Sequence, residues 1–257
     1  MILGFDIGNT STTAGVYRDD AVVPGRVFRF PTRKQAGSEE LTRQVKNGLE
    51  AGEARDVTGL AFSSVAPEIN SAYHDMAERE FGVGAFEVTC RSVLNFTLQY
   101  DDPEQLGADR IVNAAAAFRE YGGGCVVVDI GTAVTFCVLL EGGVFDGGII
   151  APGVETAIRS LALRASRLPE VPFEKPDRVV ARDTVNALKS GFFYGWLSLA
   201  DGIIARIERE YGRAFRVILT GGFAGAVTAH LAHENTVDQL LSMKGIKILY
   251  DLNRKKA

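Results

Sequence analysis

Two stretches of this chain carry the same pattern, one opening each half. The apolar run Ile2-Leu3-Gly4-Phe5 leads into Asp6-Ile7-Gly8-Asn9-Thr10, and Val126-Val127-Val128 leads into Asp129-Ile130-Gly131-Thr132-Ala133. Each reads as a buried strand that carries a carboxylate to its end. A glycine follows where backbone can approach a ligand closely, and then hydroxyl side chains able to donate to phosphate oxygens. Taken singly, such a segment also describes a β-turn in which Asp bonds its own backbone. Two copies one domain length apart point instead to a nucleotide-using enzyme built from two related domains.

The flanking sequence repeats as well. After Ile7 the chain turns back through residues 11–16, turns again at Arg18-Asp19-Asp20 and enters a third strand near 27–30. The second copy runs from a strand at 125–130 into another at 134–140, turns at Glu141-Gly142-Gly143, and continues through Val144-Phe145 into Gly147-Gly148. Between them lie a helix near 39–49, a strand around 57–62 and a helix starting near Pro67. A helix over 108–121 ends at Gly122-Gly123-Gly124, a flexible break that sets the domains at 1–121 and 122–257. Leu188, Phe192, Trp196, Leu199, Ile203, Ile207 and Tyr211 recur at helical spacing and predict one long helix. Phe192, Phe193, Tyr194 and Trp196 crowd beyond what one face can bury, which places part of that helix in a subunit interface.

Charge excludes one class of partner. The net charge is −4 and the cations are scattered, with a single dense group at Arg254-Lys255-Lys256. Nucleic acid, whose binding rests on neutralising many phosphates, is therefore not expected. The first apolar stretch meets Asp6 after a few residues, too soon for a signal peptide or a membrane span, so a cytoplasmic protein is expected. Cys90, Cys125 and Cys137 are odd in number and lack CxxC spacing, which indicates neither a disulfide framework nor a zinc site.

Phosphoryl transfer asks a protein to position phosphates, hold metal ions with carboxylates and orient a nucleophile. Neither GxxxxGK[ST] nor GxGxxG follows a strand here, so the P-loop and dinucleotide fingerprints are missing. The anion falls to the amides of Gly8 and Asn9, the hydroxyls of Thr10, Ser11, Thr12 and Thr13, and Thr132 of the second copy. A third segment, from Tyr100 through Gly107-Ala108-Asp109-Arg110, brings a ring, a glycine bend, a carboxylate and a guanidinium to a helix start. Asp109 either caps that helix or accepts the proton of an alcohol attacking the γ-phosphate. Arg110 either pairs with a substrate carboxylate or forms an internal salt bridge. The strand at 215–219 ends at Thr220-Gly221-Gly222-Phe223-Ala224, either a passage beside adenine and ribose or a tight strand-to-helix turn.

Assembled in order, these segments resemble the type III pantothenate kinases, members of the acetate and sugar kinase, heat-shock chaperone and actin superfamily. The resemblance runs nearly end to end. It covers Asp6-x-Gly8-Asn9-Thr10, Ser63-Ser64-Val65-x-Pro67, Tyr100-x-x-Pro103, Gly107-x-Asp109-Arg110 and Asp129-x-Gly131-Thr132-Ala133. It continues through Gly147-Gly148-x-Ile150-x-Pro152-Gly153, Thr184 ahead of Ser190-Gly191, and Thr220-Gly221-Gly222. Two departures stand out: Ala181 and Asp183 precede Thr184 where the family often has Gly and Asn, and Phe223 stands where a smaller aliphatic residue is frequent.

The resemblance implies an α/β fold of two ribonuclease-H-like domains, each a mixed five-stranded sheet flanked by helices, with a cleft between them. It implies phosphorylation of pantothenate at its primary hydroxyl by ATP with Mg2+, the first step toward coenzyme A. Carried over by position, Asp6, Ile7, Gly8, Asn9, Thr10, Ser11, Thr12 and Thr13 form the ATP phosphate loop, and Thr132 contacts ATP from the second copy. Asp129 matches the ligand of a monovalent cation, K+ or NH4+, and Asp109 the catalytic base. Tyr100, Gly107, Ala108, Asp109, Arg110 and Thr184 match pantothenate-binding positions. A homodimer is implied. The cradles identify the phosphate donor better than the acceptor, so a kinase of another small alcohol and a nucleotide-dependent regulator remain alternatives.

Overall fold

The computed structural model describes residues 1–254; Lys255 and Lys256 of the basic tail lie outside the described residues. The near-continuous apolar run of β1 (Ile2–Ile7) marks a strand covered on both faces, and its side chains are accordingly buried up to the half-buried Asp6. It forms an antiparallel hairpin with β2 (Ser11–Tyr17), to which β3 (Arg26–Pro31) adds antiparallel. After α1 (Ser38–Gly48), β4 (Gly59–Ser64) returns parallel to β1. After α2 (Asn70–Phe81), the short β5 (Ala85–Glu87) lies parallel to β4. The sheet order is β3-β2-β1-β4-β5. Phe5 and Phe62, from the two central strands, pack on Tyr73 of α2 with ring centroids 5.2 and 5.5 Å away.

The chain then passes through β6 (Thr97–Leu98) into α3 (Ala108–Tyr121) and repeats the opening hairpin as β7 (Cys125–Ile130) and β8 (Ala133–Leu140). β9 (Val144–Pro152), α4 (Val154–Arg164) and the 28-residue α5 (Thr184–Tyr211) follow. Next come β10 (Arg216–Thr220), the single turn α6 (Ala224–Val227), β11 (Asn235–Val237) and α7 (Leu241–Asn253). β10 lies parallel to β7, as β4 does to β1, and β11 parallel to β10. The second sheet carries six strands rather than five, in the order β11-β10-β7-β8-β9-β6. The extra one is β6, whose Thr97 and Leu98 pair with Val144 and Phe145. Two-residue strands leave almost no periodicity to read, which is why β6 is invisible in the sequence.

Two compact units result. The first holds Met1–Gly122, Gly142–Phe145 and the segment from Leu240 onward; the second holds Gly123–Glu141 and Asp146–Gln239. In the first, α7 packs along α3 so closely that a Cβ on Gly245 would overlap the backbone carbonyl of Val112. Tyr17 of β2, fully buried, donates its hydroxyl to the carbonyl of Met243 at 2.7 Å and fixes the helix from the sheet side. In the second unit, the long helix predicted from spacing begins at Thr184, where the Asp183 carboxylate caps it by accepting from the Asn186 N–H at 2.9 Å. It ends at Gly212, whose left-handed φ of 66° suits glycine. Phe193 and Leu197 enter the core of that unit, while Phe192, Tyr194 and Trp196 stay half-buried at its edge. Cys125 and Cys137 are buried in β7 and β8 and take part in no disulfide.

Candidate active site

The duplication extends to the residues beside each carboxylate. Asp6 lies opposite Thr13 across the β1–β2 hairpin and opposite Ser63 on its parallel neighbour β4. Asp129 lies opposite Thr135 on β8 and Thr220 on β10. A central strand with Asp at its last position but one, and hydroxyl residues opposite it on both its antiparallel and its parallel neighbour, is thus built twice from the same topology.

In the first unit the Gly8 N–H donates to Ser11 O at 3.1 Å and closes the loop between β1 and β2. Asn9 and Thr10 are exposed at its tip, and Ser11 and Thr13 are half-buried. Ile7 and Thr12 face inward. Ile7 is part of the core, and the Thr12 hydroxyl bonds Thr32 Oγ1 at 2.9 Å and the Tyr73 hydroxyl at 3.4 Å. What those two positions offer a ligand is backbone, whereas Asn9, Thr10, Ser11 and Thr13 offer side chains as well.

Asp6 has an unusual electrostatic setting. Its carboxyl is pushed up to about 6, by burial first and also by the charge of Asp109, against the lowering effects of a hydrogen bond from the Ser242 hydroxyl and of the Arg29 guanidinium. Ser242 sits in the first turn of α7, so the helix that returns to this unit from the end of the chain touches the carboxylate of its first strand. Asp6 and Asp109, separated by over a hundred residues in sequence, are thereby brought close enough to repel each other.

Asp109 does not occupy the cap position of α3, which belongs to Gly107. It lies in the first turn, where its Oδ1 accepts the Arg110 N–H at 2.8 Å. A Cβ on Gly107 would overlap that same oxygen, so the glycine bend is what lets the carboxylate fold back over the helix start. Burial raises the Asp109 carboxyl above the usual range, partly offset by the Arg110 N–H and the Arg110 charge. A carboxylate held in this way is a stronger base than one in water.

Arg110 is only 4% exposed. Its guanidinium lies 5.6 Å from the Tyr100 ring centroid and 5.5 Å from that of Phe145, and its Nη1 donates to the Tyr100 hydroxyl at 3.4 Å. Phe145 is held beside Tyr100 because Gln99 N–H donates to its carbonyl at 3.0 Å, continuing the β6 pairing. Tyr100, Gly107, Ala108, Asp109 and Arg110 therefore form one cluster, with the side chain of Ala108 buried beneath it.

The remaining expected residues belong to the second unit. Gly221 has a φ of +89°, and a Cβ there would lie 2.5 Å from Asp129 Oδ1 and 2.7 Å from the carbonyl oxygen of Ile130. Asp129 Oδ1 and the Ile130 carbonyl oxygen thus lie against the glycine together with the Ile130 backbone nitrogen, itself 2.7 Å from that position. The loop Thr220-Gly221-Gly222-Phe223-Ala224 is a tight strand-to-helix turn: Ala224 N–H donates to Gly221 O at 3.2 Å and Phe223 N–H to Ile130 O at 3.3 Å. Thr132 is exposed, while its carbonyl accepts from Gly153 N–H at 3.0 Å and from Thr156 Oγ1 at 2.8 Å. Gly153 permits this approach of α4, because a Cβ would overlap the Thr132 carbonyl. Thr184 is exposed as the first residue of α5.

Sequence reasoning passed over Ser242 and Arg29. Neither belongs to a recognisable local motif; Arg29 becomes visible only once the register puts it opposite Thr13.

Known proteins match this arrangement over its length. A family model described as type III pantothenate kinase matches residues 2–206. A protein of Halalkalibacterium halodurans, described as a type III pantothenate kinase, is 36% identical over 255 residues, covering 98% of this chain and 100% of the relative. A Listeria innocua protein with the same description is 36% identical over 256 residues, covering 99% of this chain and 98% of its own. Among solved structures, a Campylobacter jejuni protein assigned to the Baf family of transcriptional activators superposes with a TM-score of 0.62 at 18% identity, with 97% of each chain covered. That last likeness concerns the fold.

Proposed function

The chain belongs to the type III pantothenate kinases, enzymes that phosphorylate pantothenate with ATP in the first step toward coenzyme A, and we propose that it does so with Asp109 as the base. The observation that carries this assignment is the half-buried, basic Asp109 carboxylate drawn close to Asp6 of the phosphate loop within one unit. The primary hydroxyl of pantothenate gives its proton to Asp109 as its oxygen bonds to the γ-phosphorus, and the bond from that phosphorus to the bridging oxygen of ADP breaks. The amides of Gly8 and Asn9 and the hydroxyls of Thr10, Ser11 and Thr13 hold the phosphates, with backbone from Ile7 and Thr12. Thr132 is a further ATP contact. Arg110, rigid against Tyr100, pairs with the pantothenate carboxylate, and Thr184 completes the acceptor contacts.

Asp6 is the carboxylate suited to Mg2+, which is commonly bound by one or two carboxylates together with substrate phosphates and would neutralise part of their charge. Asp129, beside the Ile130 carbonyl, is the ligand assigned to K+ or NH4+. Replacing sodium by potassium is expected to raise the rate of the native enzyme and to leave that of Asp129→Ala unchanged. A potassium response that survives the substitution would remove Asp129 from that role.

The functional unit proposed is a homodimer in the cytoplasm, with neither nucleic acid nor membrane as a partner. No helix among the described residues is long and apolar enough to cross a membrane. The half-buried Phe192, Tyr194 and Trp196 on α5 support the dimer, since rings at the edge of a core are suited to burial by a second copy. Light scattering should give twice the chain mass, and Trp196→Glu should shift it toward the monomer. A monomeric native protein would refute the assignment.

A further inference from the structure

The proposed phosphate loop, Asp6 to Thr13, contains no Lys or Arg. Its amides and hydroxyls are neutral donors, and Asp6 adds a negative charge where a triphosphate must sit. A site of that composition needs cations from elsewhere, as other phosphoryl-transfer sites supply them with Lys or Arg.

The neighbouring segment supplies them. Arg29 lies opposite Thr13 in the β2–β3 ladder, and its Nε donates to Thr13 Oγ1 at 3.2 Å. Thr32 follows along the loop, its N–H donating to Thr10 O at 3.0 Å and its hydroxyl bonded to Thr12 Oγ1. Lys34 then donates to Asn9 Oδ1 at 2.7 Å, with Glu68 Oε1 3.6 Å away. Residues 29 to 34 thus run along the loop in reverse, touching 13, 12, 10 and 9 in turn and setting one cation at Thr13, where the loop ends, and the other at Asn9, at its tip. Arg33, between them in sequence, pairs instead with Glu40 of α1. Arg29 is exposed and Lys34 is half-buried, so both heads are open to a ligand. The Arg29 bond to Thr13 is to a neutral hydroxyl, and its charge is felt by the Asp6 carboxylate at the head of the same loop, so that charge is directed at the loop and at whatever occupies it.

We propose that Arg29 and Lys34 are phosphate-binding cations of the ATP site, clamping the triphosphate from the β3 side of the loop. This inference rests on the assignment of residues 6–13 to the phosphates. Arg29, with a planar fork able to grip two oxygens, takes the larger share; Lys34 acts as a point charge.

Calorimetric titration of the purified full chain with ATP, ADP and adenosine tests it, using Arg29→Gln, Lys34→Gln and the control Arg33→Gln. ATP affinity is expected to fall by about ten-fold or more in Arg29→Gln and by less in Lys34→Gln. Adenosine affinity should be unchanged in both, and Arg33→Gln should stay near the native values. Arg29→Lys, which keeps the charge without the fork, should recover part of the loss. Unchanged ATP affinity in both variants, or equal losses for ATP and adenosine, would overturn the proposal. Turnover of pantothenate is read separately. A native chain that binds ATP through Arg29 yet phosphorylates no pantothenate would refute the kinase reading while upholding the clamp, and an active native enzyme with an indifferent Arg29→Gln would do the reverse.

Discussion

Asp109→Asn is expected to lower kcat by roughly 10²–10⁴-fold, the usual cost of losing a positioned acid or base. The substitution keeps the shape of the side chain and an oxygen that can still accept the Arg110 N–H, which Asp109 accepts at 2.8 Å. The start of α3 should therefore survive, and ATP affinity with it. What is lost is the ability to take a proton. Because burial raises the Asp109 carboxyl above the usual carboxylate range, the native rate should fall as pH drops through the region above that range. The direction follows from the base having to be ionised to act, so protonation at lower pH removes activity. Near-normal turnover in Asp109→Asn would reject the role, and an acid limb confined to the ordinary carboxylate range would reject the environment assigned to it.

Gly245→Ala should be the most damaging small substitution in the first unit. Its Cβ would overlap the Val112 carbonyl, a backbone atom that cannot swing aside as a side chain can, so α7 must lift from α3. Overpacking of this kind costs about 3 kcal/mol. For a chain of this size that lowers the melting temperature by roughly 6–12 °C. Activity should fall alongside stability, because the same helix carries the Ser242 hydroxyl that bonds Asp6 and the Met243 carbonyl that accepts from Tyr17. Thermal melts of the two proteins decide it: a variant melting with the native chain would show that the helices are not in close backbone contact.

The α/β character and both hairpins were legible because they rest on local signals. An apolar run buried on both faces, an Asp at its end and a glycine after it are enough to locate β1 and β7. The length of α5 follows from its apolar spacing, whereas its start does not: Asp183 looks in the sequence like a departure from the family and proves in the fold to be the helix cap. Less legible were features set by tertiary packing. Leu241, Gly245, Ile248 and Leu252 recur at helical spacing, but nothing local says that this helix rests on α3. Ser242 is therefore a surface serine in the sequence and a carboxylate partner in the fold. Arg29 likewise gains meaning only from strand register. Around Asp109 the two sequence readings prove less opposed than they look: the residue lies at the helix start, but Gly107 takes the cap position and frees the carboxylate.

The most direct test is transfer of the γ-phosphoryl group from ATP to a panel of acceptors by the purified chain, with Mg2+ and potassium present and products identified by mass. Pantothenate should be converted to 4′-phosphopantothenate far faster than any sugar or other small alcohol is phosphorylated. Equal or faster transfer to another alcohol, or ATP binding with no product from pantothenate, would contradict the account.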